Sequence, residues 1–371
     1  MSLRKLGRFA ALATLIAALV VPASAASAAS LPKLATTKTV RIGYFANITH
    51  APALIAKQKQ LFEKYLGASV KIEYTVFTAG PSAIEAMKGR ALDITYIGPN
   101  PSIAGFTTTD GQLLNVVSGA TSGGAKFIVK AALAPATEGK PTAAEIAALK
   151  GKTFASPQLG GTQDVALRNY LRKNSIGFNG GDSGAVISPS ENATTLSLFK
   201  SGQIDGAWVP EPWASRLILE GGGKVFVDEA SLWKGGKFVT TQIVASKSFL
   251  KSYPGTVRAV LRANNEAIKF LSNPANKQAS IDLVQAELYA QTGKKLTDDV
   301  INAAWPSLTF TQDPLGTTLA ANFVAAVKVG QLVGYIPDDL RGIYDLRLLN
   351  SLRTFAKQKQ ISLPDSVKPK K

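Results

Sequence analysis

The chain has 371 residues, 46% of them hydrophobic and 18% charged, which is enough core for two domains or one large one and leaves much of the surface to Gly, Ser, Thr, Asn and Gln. Its formal charge of +17 is spread along the sequence rather than gathered into a basic stripe with interleaved aromatics, so it implies a general pull on anionic solutes and argues against nucleic acid as a partner. The lack of cysteine excludes disulfides, thiolate metal sites, cysteine nucleophiles and a lipid-bearing N-terminal cysteine, and a single histidine, His50, excludes a multi-histidine metal site within one chain.

Residues 1–28 read as a secretory signal peptide. Arg4, Lys5 and Arg8 make a positive start, residues 9–21 form an apolar core too short to span a membrane, and the small residues after Pro22 allow cleavage behind Ala25 or Ala28. The mature protein is expected to be exported and soluble. Without a lipid anchor to hold it at a single membrane, a periplasm suits it best.

Residues 39–45, TVRIGYF, read as a buried strand, and Asn47, Thr49 and His50 come next, before Pro52 near a helix start. The spacing of Leu54, Ile55, Leu61 and Phe62 predicts a helix over 53–65 that Gly67 stops. Strands are expected at 70–77, 92–97, 114–117 and 127–129. A helix with Ile84 and Met87 comes after the second, and the turn Gly98-Pro99-Asn100-Pro101-Ser102 leads from the third into another helix. Strand–helix alternation predicts an α/β unit with a mainly parallel sheet, whose ligand sits beyond the carboxyl ends of the strands. Four turns fall there: 47–50, 78–80, 98–102 and 118–124, the last beginning at Ser118.

Residues 135–141, PATEGKP, look like an exposed crossing, and Thr142 with Glu145 has the shape of a capping box. The stretch 154–170, FASPQLGGTQDVALRNY, organises the middle of the chain. It reads as a strand end, a tight turn at Gly160-Gly161, and a helix through Val165, Leu167 and Leu171 capped by Thr162 or Asp164. Such a turn is either an ordinary α/β connection or, through the unpaired N–H groups and positive dipole end of the helix, one jaw of an anion site. Further strands are expected at 185–188, 204–209, 224–228 and 238–244, with helices opening at Ser190-Glu191 and at 210–213. The middle segment is therefore a second α/β unit inserted in the first. Helices over 257–271, 277–292, 319–332 and 343–356 are expected to pack around the first unit.

Enzyme chemistry finds little support. There is no G-x-S-x-G nucleophile elbow, and Gly151-Lys152-Thr153 lacks the opening glycine of a phosphate loop because Ile146 stands there. His50 is a candidate general base with no carboxylate that sequence can place beside it, and Asp205 and Glu211 are not marked as an acid–base pair. The turns converge instead as a binding site, short on charge and rich in N–H and hydroxyl donors suited to an oxyanion that must be bound and released. Trp208 and Trp213 flank Glu211 and could close over an apolar tail; Trp213 equally fits as the first core residue of its helix.

Three motifs carry a family resemblance: Arg41-Ile42-Gly43-Tyr44, FTAGPSAIEAMKGRALDITYIGPNPS at 77–102, and ENATTLSLFKSGQIDGAWVPEPW at 191–213. In these the chain resembles the substrate-binding proteins of ABC importers for aliphatic sulfonates, taurine and nitrate. The resemblance implies an α/β, two-lobed periplasmic binding protein of type II, with two hinge crossings and the ligand between lobes. With the residue pattern it gives lobe I at 36–130, an inserted lobe II at 131–239, and a return to lobe I at 240–371. It implies a small anionic, sulfonate-type solute, a membrane permease as partner, a monomer, no cofactor, no metal and no catalysis. By position, Asn47, Thr49 and His50 match the first-strand loop, and Gly98, Asn100 and Ser102 the third-strand loop. Gly161, Thr162 and Gln163 match the second-lobe anion turn, and Trp208 and Glu211 the last loop; Ser118 belongs with the fourth turn. Gly161 and Asn100 are expected to face one cavity. The usual sulfonate-binder pattern has an acidic residue near Asn100, so Glu211 would have to supply the carboxylate that taurine's ammonium needs. Nitrate and bicarbonate binders are rival relatives. A pyrimidine synthase of thiamine biosynthesis, with a histidine in a loop similar to 47–50, supplies an enzyme alternative using His50, although its cysteine-rich motif is missing.

Overall fold

The computed structural model describes residues 31–178 and 184–368, so the expected signal peptide lies outside the described residues. Strands and helices alternate from the start: β1 (Thr39–Phe45), α1 (Ala51–Gln58), α2 (Leu61–Leu66), β2 (Lys71–Phe77), α3 (Gly80–Lys88), β3 (Ile94–Ile97), α4 (Pro99–Thr107) and β4 (Leu114–Gly123). β1 lies in parallel between β2 and β3. Gly43 permits that close approach, since a Cβ there would meet Thr95 Oγ1 at 2.7 Å.

At Gly123 and Gly124 the chain leaves this sheet. Both have positive φ, +84° and +75°, which only glycine adopts without strain. The second lobe is built of β5 (Ala125–Val129), α5 (Ala143–Ala147), β6 (Thr153–Ser156), α6 (Thr162–Lys173), β7 (Val186–Pro189), α7 (Asn192–Lys200), β8 (Gly206–Pro210), α8 (Trp213–Leu219) and β9 (Lys224–Asp228). β10 (Val239–Ser246) returns to the first sheet. After it come α9 (Lys247–Ser252), α10 (Pro254–Leu271), α11 (Lys277–Thr292), α12 (Asp298–Ala304), β11 (Leu308–Phe310), α13 (Gly316–Lys328) and α14 (Arg347–Phe355).

The first sheet has the order β11-β4-β10-β3-β1-β2 and the second β7-β6-β8-β5-β9. The architecture is the expected two-lobed α/β fold, but each sheet is mixed. β10 runs antiparallel to both β3 and β4, and β5 antiparallel to β8 and β9. These are the strands that enter a sheet from the hinge without a crossover helix, and a parallel neighbour would need one.

The sheet topology corrects two expectations. The strand expected at 127–129 in lobe I belongs to the second sheet, so the outward crossing falls at Gly123-Gly124 rather than near residue 130. The turn expected at 118–124 is strand: β4 continues to Gly123, buried along its whole length. Its small residues, SGATSG, read as a turn locally, yet they are what lets neighbours close in. A Cβ on Gly119 would meet the Asp313 carbonyl oxygen at 2.3 Å. Tertiary packing overrides the local signal.

Lobe II has a core on each face of its sheet. On one face Phe127 stacks on Trp208 (5.5 Å between centroids, 13° between planes) and meets Phe154 edge-on at 5.1 Å, under Leu167 and Tyr170 of α6. On the other, Leu196 and Phe199 of α7 pack with Leu217 of α8. Aromatic pairs of this geometry add about 0.5–1.5 kcal/mol each beyond burial.

Candidate functional site

A cavity of about 40 Å³ lies between the two sheets, where the turns after β1, β2 and β3 meet those after β6, β7 and β8. Four helices of nine or more residues begin at its wall: α3 at Ala79 and Gly80, α4 at Gly98, α6 at Gly161 to Gln163, and α7 at Asn192. Each start leaves N–H groups without an intrahelical partner and brings the positive end of a dipole. Pro99 and Pro101 remove two of those donors from α4, so α6 offers the fuller set. Among the described residues none that lines the cavity carries a formal charge; the side-chain donors are Asn47, Thr49, His50, Thr78, Gln163, Asn192 and three further threonines. A lining of this kind suits an oxyanion held by neutral donors.

The α6 jaw is built by its own sequence. Gly160 takes φ +78°, and a Cβ on Gly161 would meet the Gln158 carbonyl oxygen at 2.9 Å. Asp164 braces the turn from inside. Its buried carboxylate accepts from Ser156 Oγ (2.9 Å), the Gly160 N–H (3.1 Å), Arg168 Nε (3.0 Å) and Gln331 Nε2 (2.7 Å). Thr162 makes no cap; Gly161 is the N-cap residue. The Thr162 hydroxyl is therefore buried without a partner, as are the Thr241 hydroxyl and Asn192 Oδ1 on the same cavity. A buried polar atom left unpaired costs about 1–3 kcal/mol, and a ligand supplying the missing partners recovers it.

His50 is buried and stacks on Phe45 at 4.4 Å. Its Nδ1 accepts from the Phe45 N–H at 3.3 Å, which leaves the ring proton on Nε2. Burial pushes its pKa down to about 3, so at neutral pH it is an uncharged donor.

Of the sequence-predicted site residues, Asn47, Thr49, His50, Gly98, Gly161, Thr162 and Gln163 line this cavity together. Five do not. Asn100 turns away toward α13, donating to the Asn322 carbonyl at 3.3 Å, so Gly161 and Asn100 share no cavity; Asn100 faces a separate one beside Gly160. Successive residues on a helix start point about 100° apart, and Gly98 and Pro101 take the cleft side. Ser102 donates back to the Gly98 carbonyl at 2.9 Å. Ser118 is buried inside β4, near Asn264 and the Gln312 carbonyl. Trp208 is fully buried in the lobe II core and donates to Glu229 at 2.7 Å, so it closes over no ligand tail. Glu211 is fully buried, ion-paired with Lys126 at 2.8 Å and accepting from the Ser215 N–H, so it offers taurine no carboxylate.

Sequence reasoning missed Thr240 and Thr241 on β10, Asn192 at the start of α7, and Thr78 with Gly80 as lining residues. Asn192 lies inside the 191–213 motif, and residues 78–80 lie in a turn expected at the carboxyl edge. The lobes touch across the cleft. Trp213 Nε1 donates to Asn47 Oδ1 at 2.9 Å, Thr78 donates to Glu191 at 3.0 Å, and a Cβ on Gly98 would meet Thr162 Oγ1 at 2.3 Å. Among the described residues no group of three or more His, Asp or Glu could hold a metal, and no helix is long and apolar enough to cross a membrane.

Residues 34–285 match the profile of the NMT1-like family. The chain belongs to that family. Among the chain's relatives is a provisionally named binding protein of Brucella abortus (strain 2308), 28% identical over 72% of this chain and 79% of that protein. The nitrate/nitrite binding protein NrtA of Nostoc sp. (strain PCC 7120) is 26% identical over 69% of this chain and 59% of that one. The alkanesulfonate-binding protein SsuA of Xanthomonas axonopodis pv. citri, solved bound to MOPS, superposes with a TM-score of 0.64 at 21% identity, over 81% of this chain and 96% of that one. That superposition shows the shared two-lobed fold.

Proposed function

We propose that this protein is an exported, periplasmic solute-binding component of an ABC importer, and that it captures a compact oxyanion between its lobes without altering it. The observation that carries this is the convergence of four helix starts on a small cavity that no charged side chain among the described residues lines. The unpaired Thr162 and Thr241 hydroxyls supply further donors. The descriptions of similar proteins, as a binding protein and as a nitrate/nitrite binder, agree with it.

Size narrows the ligand. About 40 Å³ is room for roughly three water-sized occupants. So small a space suits a compact oxyanion such as nitrate, bicarbonate or a short-chain sulfonate better than a long alkyl chain. Taurine lacks a carboxylate for its ammonium, because no acidic residue among those described lines the cavity. The proposal therefore keeps small aliphatic sulfonates and nitrate side by side as ligands. A catalytic role for His50 has no acidic partner in the described cavity wall.

The test is isothermal titration with nitrate, bicarbonate, methanesulfonate, hexanesulfonate and taurine. Binding of at least one of the first three, with hexanesulfonate and taurine much weaker, is expected. Tight taurine or hexanesulfonate binding would show that the cleft opens to a larger, differently charged ligand.

A further inference from the structure

A second and larger cavity, of about 450 Å³, lies on the other flank of α6, between that helix, the turn after β9 and α13. Its apolar walls include Ile146, Val227, Leu232 and Ala325, and the aromatic side chains of Tyr170 and Trp233 reach it, while Trp208, fully buried against Phe127 and Tyr170, presents it no ring face. Among these walls sits one carboxylate, Glu229, which is 3% exposed. Trp208 Nε1 donates to one of its oxygens at 2.7 Å, and Trp233 Nε1 makes a longer contact of 3.4 Å with the other. Two indoles fill about half of what an ionised carboxylate can accept. No ion pair to Glu229 occurs among the described residues. The one lysine on the cavity among those residues, Lys173, is exposed. With only two indole N–H donors, the ionised carboxylate keeps acceptor capacity for a cation that enters the cavity.

We propose that this cavity is an accessory binding site for a small organic monocation of the alkylammonium class, held by the Glu229 carboxylate, which Trp208 positions from the core, and by the aromatic walls of Tyr170 and Trp233. Charge, ring chemistry and volume point the same way. Aromatic faces attract a desolvated cation, and apolar walls suit its alkyl groups. A bare metal ion would need more oxygen or nitrogen ligands than one carboxylate supplies, and no such cluster exists among the described residues. The walls come both from lobe II and from α13, and α6 runs from this cavity to the anion cleft. The site stands apart from that cleft and does not depend on what the cleft binds.

The experiment uses choline as probe and its uncharged isostere 3,3-dimethyl-1-butanol as control, at about pH 8, reading tryptophan fluorescence on the intact protein. Saturable choline binding, at least about tenfold tighter than the isostere, is expected. Glu229→Gln should weaken choline by about tenfold or more, and Trp233→Leu should weaken it too, with circular dichroism confirming that each variant is folded. Trp233 is only half-buried, so its replacement is tolerated where Glu229→Gln fails to fold. Equal binding of choline and the alcohol, no binding of either, or undiminished choline binding by the two folded variants would overturn the proposal.

Discussion

The pair Gly98 and Thr162, facing each other across the cleft, gives the sharpest perturbation. Gly98 has φ −72° and ψ 164°, a conformation open to any residue, so Gly98→Ala introduces no backbone strain. Its new Cβ would stand 2.3 Å from Thr162 Oγ1, while Thr162 Cβ at 3.4 Å and the Thr240 carbonyl oxygen at 3.6 Å stay at ordinary contact. The clash is therefore with one hydroxyl, across the cleft. Either the lobes stop short of closure or Thr162 swings its hydroxyl away and the ligand loses a donor. Overpacking and the loss of a hydrogen bond to a charged group each cost about 1–3 kcal/mol. The affinity for nitrate or methanesulfonate should thus fall by about 5- to 150-fold. Unliganded stability should move by less than about 0.5 kcal/mol, since the strain is relieved by opening. In a Thr162→Ala background there is no hydroxyl to meet, and adding Gly98→Ala should cost less than about 0.5 kcal/mol. Isothermal titration of the four proteins completes the cycle. The same loss from Gly98→Ala in both backgrounds, or none in either, would refute a closed cleft sealed at this pair.

Two buried groups should give opposite pH dependences of stability. His50, pushed down to about 3 by burial, favours folding above its ordinary value of 6.5 and loses that contribution as pH falls toward 3. Glu229, pushed up to about 7 chiefly by burial, favours folding below 4.5 and loses that contribution as pH rises through 7. Between pH 4.5 and 6.5 each slope is about 1.4 kcal/mol per pH unit and they oppose. Glu229→Gln should therefore make the protein lose stability on acidification across that window, and His50→Gln on alkalisation; urea midpoints that stay parallel to the parent protein would contradict both assignments. Lys126→Met leaves the Glu211 carboxylate buried and unpaired, and should cost about 3–5 kcal/mol in chemical denaturation. Anion affinity should stay unchanged in that variant, because Glu211 does not reach the cleft; a parallel loss of binding would return it to the site.

The parts of the site visible in the sequence are those whose chemistry is local. Gly160-Gly161 with Asp164 three residues on contains its own brace, and the turn forms where the sequence indicates, although Gly161 rather than Thr162 or Asp164 is the N-cap residue. The loop Asn47 to His50 continues directly from an apolar strand and reaches the cavity for the same reason. Trp208 shows the opposite case. All five residues of β8 are buried, so no alternation of polar and apolar residues tells which side chains face the core. Glu211 misled because its partner Lys126 lies 85 residues earlier, on β5. Thr240 and Thr241 were silent because only the antiparallel return of β10 beside β3 and β4 brings them to the cleft. Ser118 failed for a related reason, since small residues that look like a turn serve in β4 to let the 312–314 backbone pack close.

A crystal structure of the protein grown with nitrate or methanesulfonate would bear most directly on capture by uncharged donors. The oxyanion should lie between the lobes, within hydrogen-bonding distance of the α6 start at Thr162 and Gln163 and of the Thr241 hydroxyl, with no lysine or arginine in contact. An anion bound instead on surface lysines, or one in the cleft held by a charged side chain, would contradict that account.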